Sequence, residues 1–243
     1  MGYVVFHMEK ARGSDSAMTA HIERTSHPKN ADESRTHLNR TLIEYPEGVK
    51  DRTAAIQHRL EHAGLKRKIG SNQVRAIRIN LSGSPEDMAR IEATGQLDAW
   101  CADSLQYLFD TFGRENIVSA HLHMDEKTPH IHATLVPIVR ETRTRRKKED
   151  QVKRHYRKKS ADTPRLCADD IMTRGKLKSY QDGYAKAMSH HGLQRGIDGS
   201  EARHISTQQY YLDLKKQSHE LQEDIIQLQA DKAASISAPP SWT

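Results

Sequence analysis

The 243-residue sequence is poor in cysteine and in aromatic residues, and it has no long apolar run. Its two cysteines, Cys101 and Cys167, lie far apart, which excludes a disulfide scaffold and fits reduced thiols in a cytoplasmic protein. No stretch approaches the roughly 18 apolar residues of a membrane-spanning helix and no signal peptide is evident, so we expect neither a membrane nor a secreted protein. A hydrophobic content of 35% and an aromatic content of 5% predict a modest core with extended polar arms.

Positive charge is concentrated in one segment of the chain. The formal net charge is +6, but residues 140–159 alone hold eleven Lys or Arg against three acidic residues. Such a segment predicts contacts with the phosphates of a nucleic acid, whereas the plainer interpretation is a solvated, flexible loop. The candidate nucleic-acid contacts in it are Arg143, Arg145, Arg146, Lys147, Lys148, Lys153, Arg154 and Arg157.

Histidines are concentrated in a second segment, His121-Leu-His-Met-Asp-Glu-Lys-Thr-Pro-His-Ile-His132. Residues 116–123 and 130–137 both alternate with period two, as half-buried strands do. His121 and His123 then share one face of the first strand. The six residues between the strands, which include Pro129, suit a connection between antiparallel neighbours. The sequence therefore predicts a hairpin with its histidines on one face.

The predicted hairpin brings His123 opposite His130 and His132. Three neutral imidazoles from two rigid strands form a metal site that leaves positions open for water or a substrate oxygen. Glu126 and Asp125 are close enough to act as a fourth ligand, as an orienting group or as a general base. The alternative, four solvated histidines on a polar face, explains a lone histidine better than it explains this spacing.

The rest of the chain predicts an α+β fold, an antiparallel sheet sandwiched with helices that lie on one side, followed by a C-terminal helical extension. Strands are predicted at Tyr3–Phe6, beside the histidine hairpin, and at Val74–Leu81; helices are predicted at Asp51–Lys66, from Ser84 to Phe112 and within Cys167–Met188. The helix in Cys167–Met188 suits either packing or a nucleic-acid groove. Residues 206–232 carry a heptad-like seam that could pair two copies of the chain, and the remaining tail looks disordered.

Three separated motifs resemble those of the MobV (Pre/Mob) plasmid mobilisation relaxases, which belong to a wider group with a histidine-hydrophobic-histidine metal motif. Residues 121–132 resemble the third motif of that family and are the most specific. Tyr3–Lys10 followed by His21-Ile-Glu-Arg24 resembles the first motif, and Ser34–Leu42 resembles the second. Ser200–His204 resembles a segment near the end of the catalytic domain, so the resemblance implies a relaxase domain at residues 1–205 and an extension at 206–243.

The resemblance implies an enzyme that nicks one strand of supercoiled DNA at an origin of transfer, uses Mn²⁺ or Mg²⁺, and stays covalently bound to the 5′ phosphate. On this basis His123, His130 and His132 would bind the cation. Glu126 would orient or deprotonate the nucleophile. His21 would be that nucleophile, and Arg24 would hold the scissile phosphate or the DNA backbone.

Tyr45 is the alternative nucleophile, because most relaxases of other families attack with tyrosine. The family's second motif often reads Asn-Tyr, whereas this chain has Asn39-Arg40, so that tyrosine is absent. Pro46 restricts the backbone of Tyr45, and no base is evident beside it in the sequence. These features favour His21.

Two other functions stay open at this point. A replication initiator of the same metal-motif group would nick a replication origin, but it needs a tyrosine nucleophile. A DNA-binding scaffold that has lost catalysis would recruit partners through the heptad-like helix, but the intact histidine set argues against it.

Overall fold

A computed structural model of the protein describes residues 2–140 apart from 12, 14 and 27, residues 163–197, and the helical positions 216, 218, 219, 221–229 and 232. The chain divides into two compact units, residues 1–196 and residues 197–243. The eight predicted nucleic-acid contacts between Arg143 and Arg157 lie outside the described residues, as does the C-terminal tail.

The first unit contains eight strands and six α-helices among its described residues. The strands are β1 (Gly2–Lys10), β2 (Arg40–Thr41), β3 (Ile77–Gly83), β4 (Ile117–His123), β5 (His130–Leu135), β6 (Ile138–Val139), β7 (Arg165–Leu166) and β8 (Leu193–Gln194). The α-helices are α1 (Ser16–Ile22), α2 (Arg52–Glu61), α3 (Pro85–Ala93), α4 (Leu97–Phe112), α5 (Ala168–Ile171) and α6 (Arg174–Ala187). Short 3-10 helices cover Glu33–Leu38, Arg114–Asn116 and Ser189–His191.

Six strands form one mixed but mainly antiparallel sheet in the order β2-β4-β5-β3-β1-β8. Only the short edge pair β1 and β8 is parallel. The predicted α+β class with an antiparallel sheet is therefore confirmed. The predicted position of the first strand beside the histidine hairpin is wrong, because β3 pairs with β1 on one edge and with β5 on the other. The mostly buried side chains of β3 suit this central position.

Helices cover both faces of the sheet, so the prediction that they lie on one side is wrong. Trp100 and Leu108 of α4 and Tyr184 of α6 belong to the main core with Leu122 and Ile131 of the hairpin strands. The apolar side chains of α2 pack in a second hydrophobic cluster, on the opposite face of the sheet. That cluster includes Ile56, Leu60, Val136, Ile138 and Leu166.

Three helical boundaries differ from those predicted, each for a local reason. α2 ends at Glu61, before Gly64, which adopts a φ of +67°. The helical stretch that begins after Ser84 is divided into α3 and α4 at Gly95, which has a φ of +70°. The region 167–188 is divided into α5 and α6, because the Thr173 side chain caps the start of α6 by accepting from the Lys176 N–H.

Cys101 and Cys167 are free thiols. Among the described residues, no helix combines the length and apolar character that crossing a membrane requires. In the second unit, residues 221–229 are helical, and Leu221, Ile225 and Leu228 are exposed.

Candidate active site

Strands β4 and β5 form the predicted histidine hairpin. Their register sets His123 opposite His130 and His121 opposite His132. Because side chains alternate between the two faces of a strand, all four imidazoles lie on one face. The predicted hairpin and the predicted common face are therefore confirmed.

His130 and His132 are arranged as a pair of cation ligands. Their Nε2 atoms lie 3.0 Å apart. The Nδ1–H of His130 donates to the Thr128 carbonyl over 2.8 Å, so its Nε2 carries a lone pair rather than a proton. Nitrogen ligands about 2.1 Å from one cation lie about 3 Å apart when their bonds meet near a right angle. Burial lowers the pKa of both imidazoles, and for His132 the decrease is large, so both are neutral, as a cation requires.

His123 completes the group, although both of its ring nitrogens have protein partners. Its Nε2 lies 2.8 Å from the Ile22 carbonyl, and its Nδ1 lies 3.0 Å from Nη2 of Arg24. A guanidinium nitrogen only donates, so Nδ1 of His123 accepts and its Nε2–H donates to the carbonyl. Ligand atoms of His21, His123 and His132 lie within 4.8 Å of one another, as do those of His123, Glu126 and His130. The donor set fits a divalent cation, provided that His123 exchanges one of its present contacts.

Arg24 connects the end of α1 to the turn of the hairpin. Its Nε and Nη2 donate to Asp125 over 2.8 and 2.7 Å, and Nη2 also donates to Glu126 Oε1 over 2.8 Å. Its Nη1 donates to the His21 carbonyl over 2.8 Å. The backbone of Arg24 has a φ of 55°, which is uncommon for a residue other than glycine. With its side chain 6% exposed, Arg24 is a neutralised, organising group in this arrangement.

His21 lies in the last turn of α1 and faces this cluster. Its Nε2 is 3.9 Å from Glu126 Oε1, and its ring centroid is 5.7 Å from that of His132. Burial, followed by the positive charge of Arg24, lowers the pKa of His21. Burial alone would raise the pKa of Glu126, but its surroundings, which include the hydrogen bond and the positive charge of Arg24, lower it to about 2. A neutral imidazole therefore lies beside an ionised carboxylate.

Tyr45 has two partners that sequence reasoning did not find. Its hydroxyl donates to Glu23 Oε1 over 2.7 Å and lies 3.0 Å from Nε2 of His121. The expectation that no base lies beside Tyr45 is therefore wrong, because the fold brings both groups to it from distant segments. Burial and the hydrogen bond to Glu23 raise the pKa of Tyr45, so its phenol stays protonated.

The second motif supports the turn of the hairpin, a role that its sequence did not reveal. Asn39 accepts from the Met124 N–H over 2.6 Å and donates to Asp125 over 2.8 Å. The Thr36 hydroxyl donates to the same carboxylate over 3.1 Å. Asn30, which no motif includes, donates to Glu126 Oε2 over 2.9 Å. These contacts fix both carboxylates of the turn.

The structure thus brings together all six residues predicted for catalysis and metal binding. They come from the end of α1, the turn of the hairpin and the two hairpin strands. The six residues are His21, Arg24, His123, Glu126, His130 and His132.

Comparisons with curated proteins point to one family. The profile described as plasmid recombination enzyme, Mob_Pre, matches residues 1–212. A 65 kDa protein of Zymomonas mobilis is 30% identical over 98% of this chain and 36% of its own length. A plasmid recombination enzyme of Bacillus thuringiensis is 26% identical over 93% of this chain and 45% of its own length. The chain therefore spans between a third and a half of these relatives.

Solved structures agree with this result. A Mn-bound MobM relaxase domain (MOBV; Mob_Pre) in complex with plasmid pMV158 oriT DNA has a TM-score of 0.68 and 24% identity, over 86% of this chain and 98% of that one. A second such complex, with a 3′ thiophosphate, has a TM-score of 0.68 and 25% identity, over 87% and 98%. The fold of the first unit is thus that of a relaxase domain, and the chain belongs to the plasmid recombination enzyme (Mob_Pre) family.

Proposed function

We propose that the chain is a metal-dependent relaxase, which nicks one strand of supercoiled DNA at an origin of transfer and forms a covalent 5′-phosphate adduct on His21. One observation carries the proposal: the imidazole of His21 faces a cluster of three histidines, and Glu126 Oε1 lies 3.9 Å from His21 and 3.8 Å from His123. Transesterification at a phosphodiester needs an electrophilic group, a positioned nucleophile and an acceptor for its proton. The cluster has a nucleophile and a proton acceptor, and its histidines would hold a cation as the electrophilic group.

His21 is the attacking group in this proposal. A neutral imidazole attacks through its unprotonated nitrogen, here Nδ1, which bonds to phosphorus as the bond from phosphorus to the 3′ oxygen breaks, and the 3′ oxygen takes a proton from solvent. Nε2 then carries the ring proton, and Glu126 Oε1, which is 3.9 Å from Nε2, accepts it. The product is a phosphoramidate, whose high energy lets the 3′ hydroxyl attack it and rejoin the strand.

A divalent cation completes the site, and His130, His132 and His123 would hold it. When bound, it supplies Lewis-acid polarisation of a non-bridging phosphate oxygen. Neutral imidazoles suit this task because they leave the charge of the cation uncancelled. Mn²⁺ is the first candidate, since the relaxase domains of similar fold are Mn-bound. Mg²⁺ is the alternative.

For DNA binding we propose the basic segment, with Arg143, Arg145, Arg146, Lys147, Lys148, Lys153, Arg154 and Arg157 as phosphate contacts. The complexes of similar fold contain oriT DNA, which supports origin DNA as the partner. We propose that this chain binds the origin as a single strand and at its hairpin. Arg24 would reach a phosphate only by changing its present hydrogen bonds, so its first role in this proposal is to hold Glu126 and His21.

For residues 206–243 we propose pairing between two copies of the chain. Leu221, Ile225 and Leu228 are exposed and recur at the spacing of one helix face. Sedimentation of the full chain and of a form ending at residue 205 tests this, because only the full chain should dimerise. Dimers of both forms would refute it.

A nicking assay tests the main proposal. Wild type, His132→Ala and the exposed-histidine control His190→Ala would be incubated with a supercoiled plasmid that carries the cognate origin, with Mn²⁺ or with EDTA. His190 donates to Asp103 in the helix layer and belongs to no part of the proposed site. Nicking by wild type and by the control with Mn²⁺, and by neither with EDTA, is expected. Nicking by His132→Ala at the wild-type rate would contradict the proposal, and no nicking by any form would favour a DNA-binding scaffold.

A further inference from the structure

Helix α1 carries the proposed nucleophile but is too short to hold its own position. It has seven residues, and isolated helices of fewer than about 12 residues are marginal in water. His21 lies in its last turn, so any tilt of α1 moves the imidazole relative to the histidine cluster. Contacts with the rest of the protein must therefore fix this helix.

The Arg52 side chain ties the first part of α1 to the strand that carries His132. Arg52 is the first residue of α2 and is fully buried. Its guanidinium donates to Asp15 over 2.7 Å, to the Thr19 hydroxyl over 3.1 Å and to the Thr134 hydroxyl over 2.6 Å. Asp15 is the N-cap of α1, Thr19 lies in its middle, and Thr134 is two residues from His132 on the same face of β5.

The backbone of the same residue holds the other end of α1. The Arg52 N–H donates to Glu23 Oε1 over 2.7 Å, and Glu23 is the C-cap of α1. The Tyr45 hydroxyl donates to the same oxygen over 2.7 Å and lies 3.0 Å from His121. Both ends of α1 are thus connected to the first residue of α2 and to the hairpin strands.

The backbone at both ends of α1 is strained, which also indicates that its position is imposed. Asp15 has a φ of 54° and Arg24 has a φ of 55°. Residues other than glycine adopt this conformation at a cost, and they keep it only where surrounding contacts determine it. Asp15 is held by Arg52, and Arg24 is held by the carboxylates of the hairpin turn.

We propose that Arg52, Glu23 and Tyr45 are positioning residues that form a clamp on α1 and set His21 against the histidine cluster. This inference rests on the proposed function, since it assigns the clamp to the placement of the nucleophile. None of the three residues needs to touch DNA. A displacement of about 1 Å at a reacting group can lower a rate about 100-fold, so a small loosening of the clamp has a large effect on nicking.

Substitutions on α2 provide a matched test. Arg52→Lys keeps the charge but loses the fork that reaches three partners. Arg59→Lys is its control, because the guanidinium of Arg59, on the same helix, donates to Asn116. We expect the single-turnover nicking rate of Arg52→Lys to fall about 10-fold to 100-fold with saturating DNA and Mn²⁺. The dissociation constants for Mn²⁺ and for DNA should stay near those of wild type, and Arg59→Lys should keep the wild-type rate.

A pair of substitutions at Glu23 separates placement from general stability. Gln keeps an oxygen that accepts from the Arg52 N–H and the Tyr45 hydroxyl, whereas Ala keeps none. Glu23→Ala should therefore lose more rate than Glu23→Gln, and Tyr45→Phe should slow adduct formation without abolishing it. If the affinity for Mn²⁺ or DNA fell in these variants by as large a factor as the nicking rate, the result would overturn the clamp and indicate a disturbed fold.

Hydrogen exchange tests the clamp without relying on activity. In Arg52→Lys and Glu23→Ala, amides of residues 19–24 should exchange faster than in wild type, whereas those of β4 and β5 should not change. Unchanged exchange of α1 would refute the clamp even if the enzyme nicks DNA. A wild-type protein that does not nick, but whose α1 loosens in these variants, would refute the proposed function and leave the clamp standing.

Discussion

At the scale of single residues, the site depends on neutral imidazoles beside ionised carboxylates. Burial lowers the pKa values of His21, His130 and His132, and the charge of Arg24 adds to this effect. The carboxyl group of Glu126 stays ionised because it accepts hydrogen bonds. In the proposed mechanism, this division of charge supplies an attacking nitrogen and a proton acceptor at neutral pH.

The lowered pKa of His21 makes a prediction about pH. Its imidazole is neutral above the lowered pKa, so the single-turnover nicking rate should be constant near pH 7 and should fall only below the ordinary value of 6.5. Mn²⁺ affinity measured at each pH separates this effect from protonation of the metal ligands. An inflection above pH 6.5 that leaves Mn²⁺ binding unchanged would contradict the neutral state of His21.

Asp125 makes a prediction about stability. Its side chain is fully buried against Arg24. Burial would raise its pKa, but hydrogen bonds from Arg24, Asn39 and Thr36 lower it below 3.8. Its contribution is thus present above pH 3.8 and lost as pH falls through the lowered value. Asp125→Asn should reduce the free energy of unfolding at pH 7 by about 3–5 kcal/mol.

The pH dependence of this loss provides the control. In urea unfolding experiments, the difference between wild type and Asp125→Asn should shrink as the pH is lowered below 3.8, because the unfolded wild-type chain then binds a proton that the folded carboxylate does not. A difference that stays constant with pH would mean that packing, rather than charge, accounts for it.

At the scale of elements, the packing of α4 against α6 depends on a glycine. A Cβ on Gly183 would lie 2.8 Å from the Tyr107 hydroxyl, which itself donates to the Tyr180 carbonyl over 2.6 Å. Gly183→Ala should therefore destabilise the protein by about 1–3 kcal/mol through overpacking. Gly175, in the first turn of the same helix, has no atom within 4 Å of such a Cβ.

Gly175→Ala is the matched control for this prediction. It should stabilise the protein by about 0.5–1 kcal/mol, because alanine favours the helix more than glycine does. Denaturant unfolding measures both variants. Equal effects of the two substitutions would show that the Tyr107 side chain can move aside and that stability does not require the close approach of α6 to α4.

The elements that sequence reasoning predicted best are those with local patterns. The hairpin follows from period-two alternation in residues 116–137, and α4 follows from its apolar spacing and from Gly113. The contacts of the α1 clamp could not be predicted, because Asp15 and Glu23 reach Arg52 only when α1 packs against α2. The partners of Tyr45 were missed for the same reason, since His121 is 76 residues away in sequence.

At the scale of the whole molecule, the uneven distribution of charge predicts a salt-dependent affinity for DNA. Replacing Arg145, Arg146 and Lys147 with Gln should reduce the slope of log affinity against log salt by about 2 for a single-stranded oligonucleotide, at roughly 0.7 per lost phosphate contact. The exposed residues Lys66, Arg67 and Lys68, replaced in the same way, change the net charge equally. The second variant should keep most of the wild-type slope. Equal slopes for the two triple variants would mean that net charge alone, rather than the position of the basic residues, determines the salt dependence.

The covalent adduct tests the central claim most directly. After reaction of wild type, His21→Ala and Tyr45→Phe with Mn²⁺ and a plasmid carrying the cognate origin, the DNA would be digested and the modified peptide identified by mass spectrometry. We predict an acid-labile phosphate on His21 in wild type and in Tyr45→Phe, and no adduct in His21→Ala. An acid-stable adduct on Tyr45, lost in Tyr45→Phe and retained in His21→Ala, would contradict the account and favour a tyrosine enzyme such as a replication initiator.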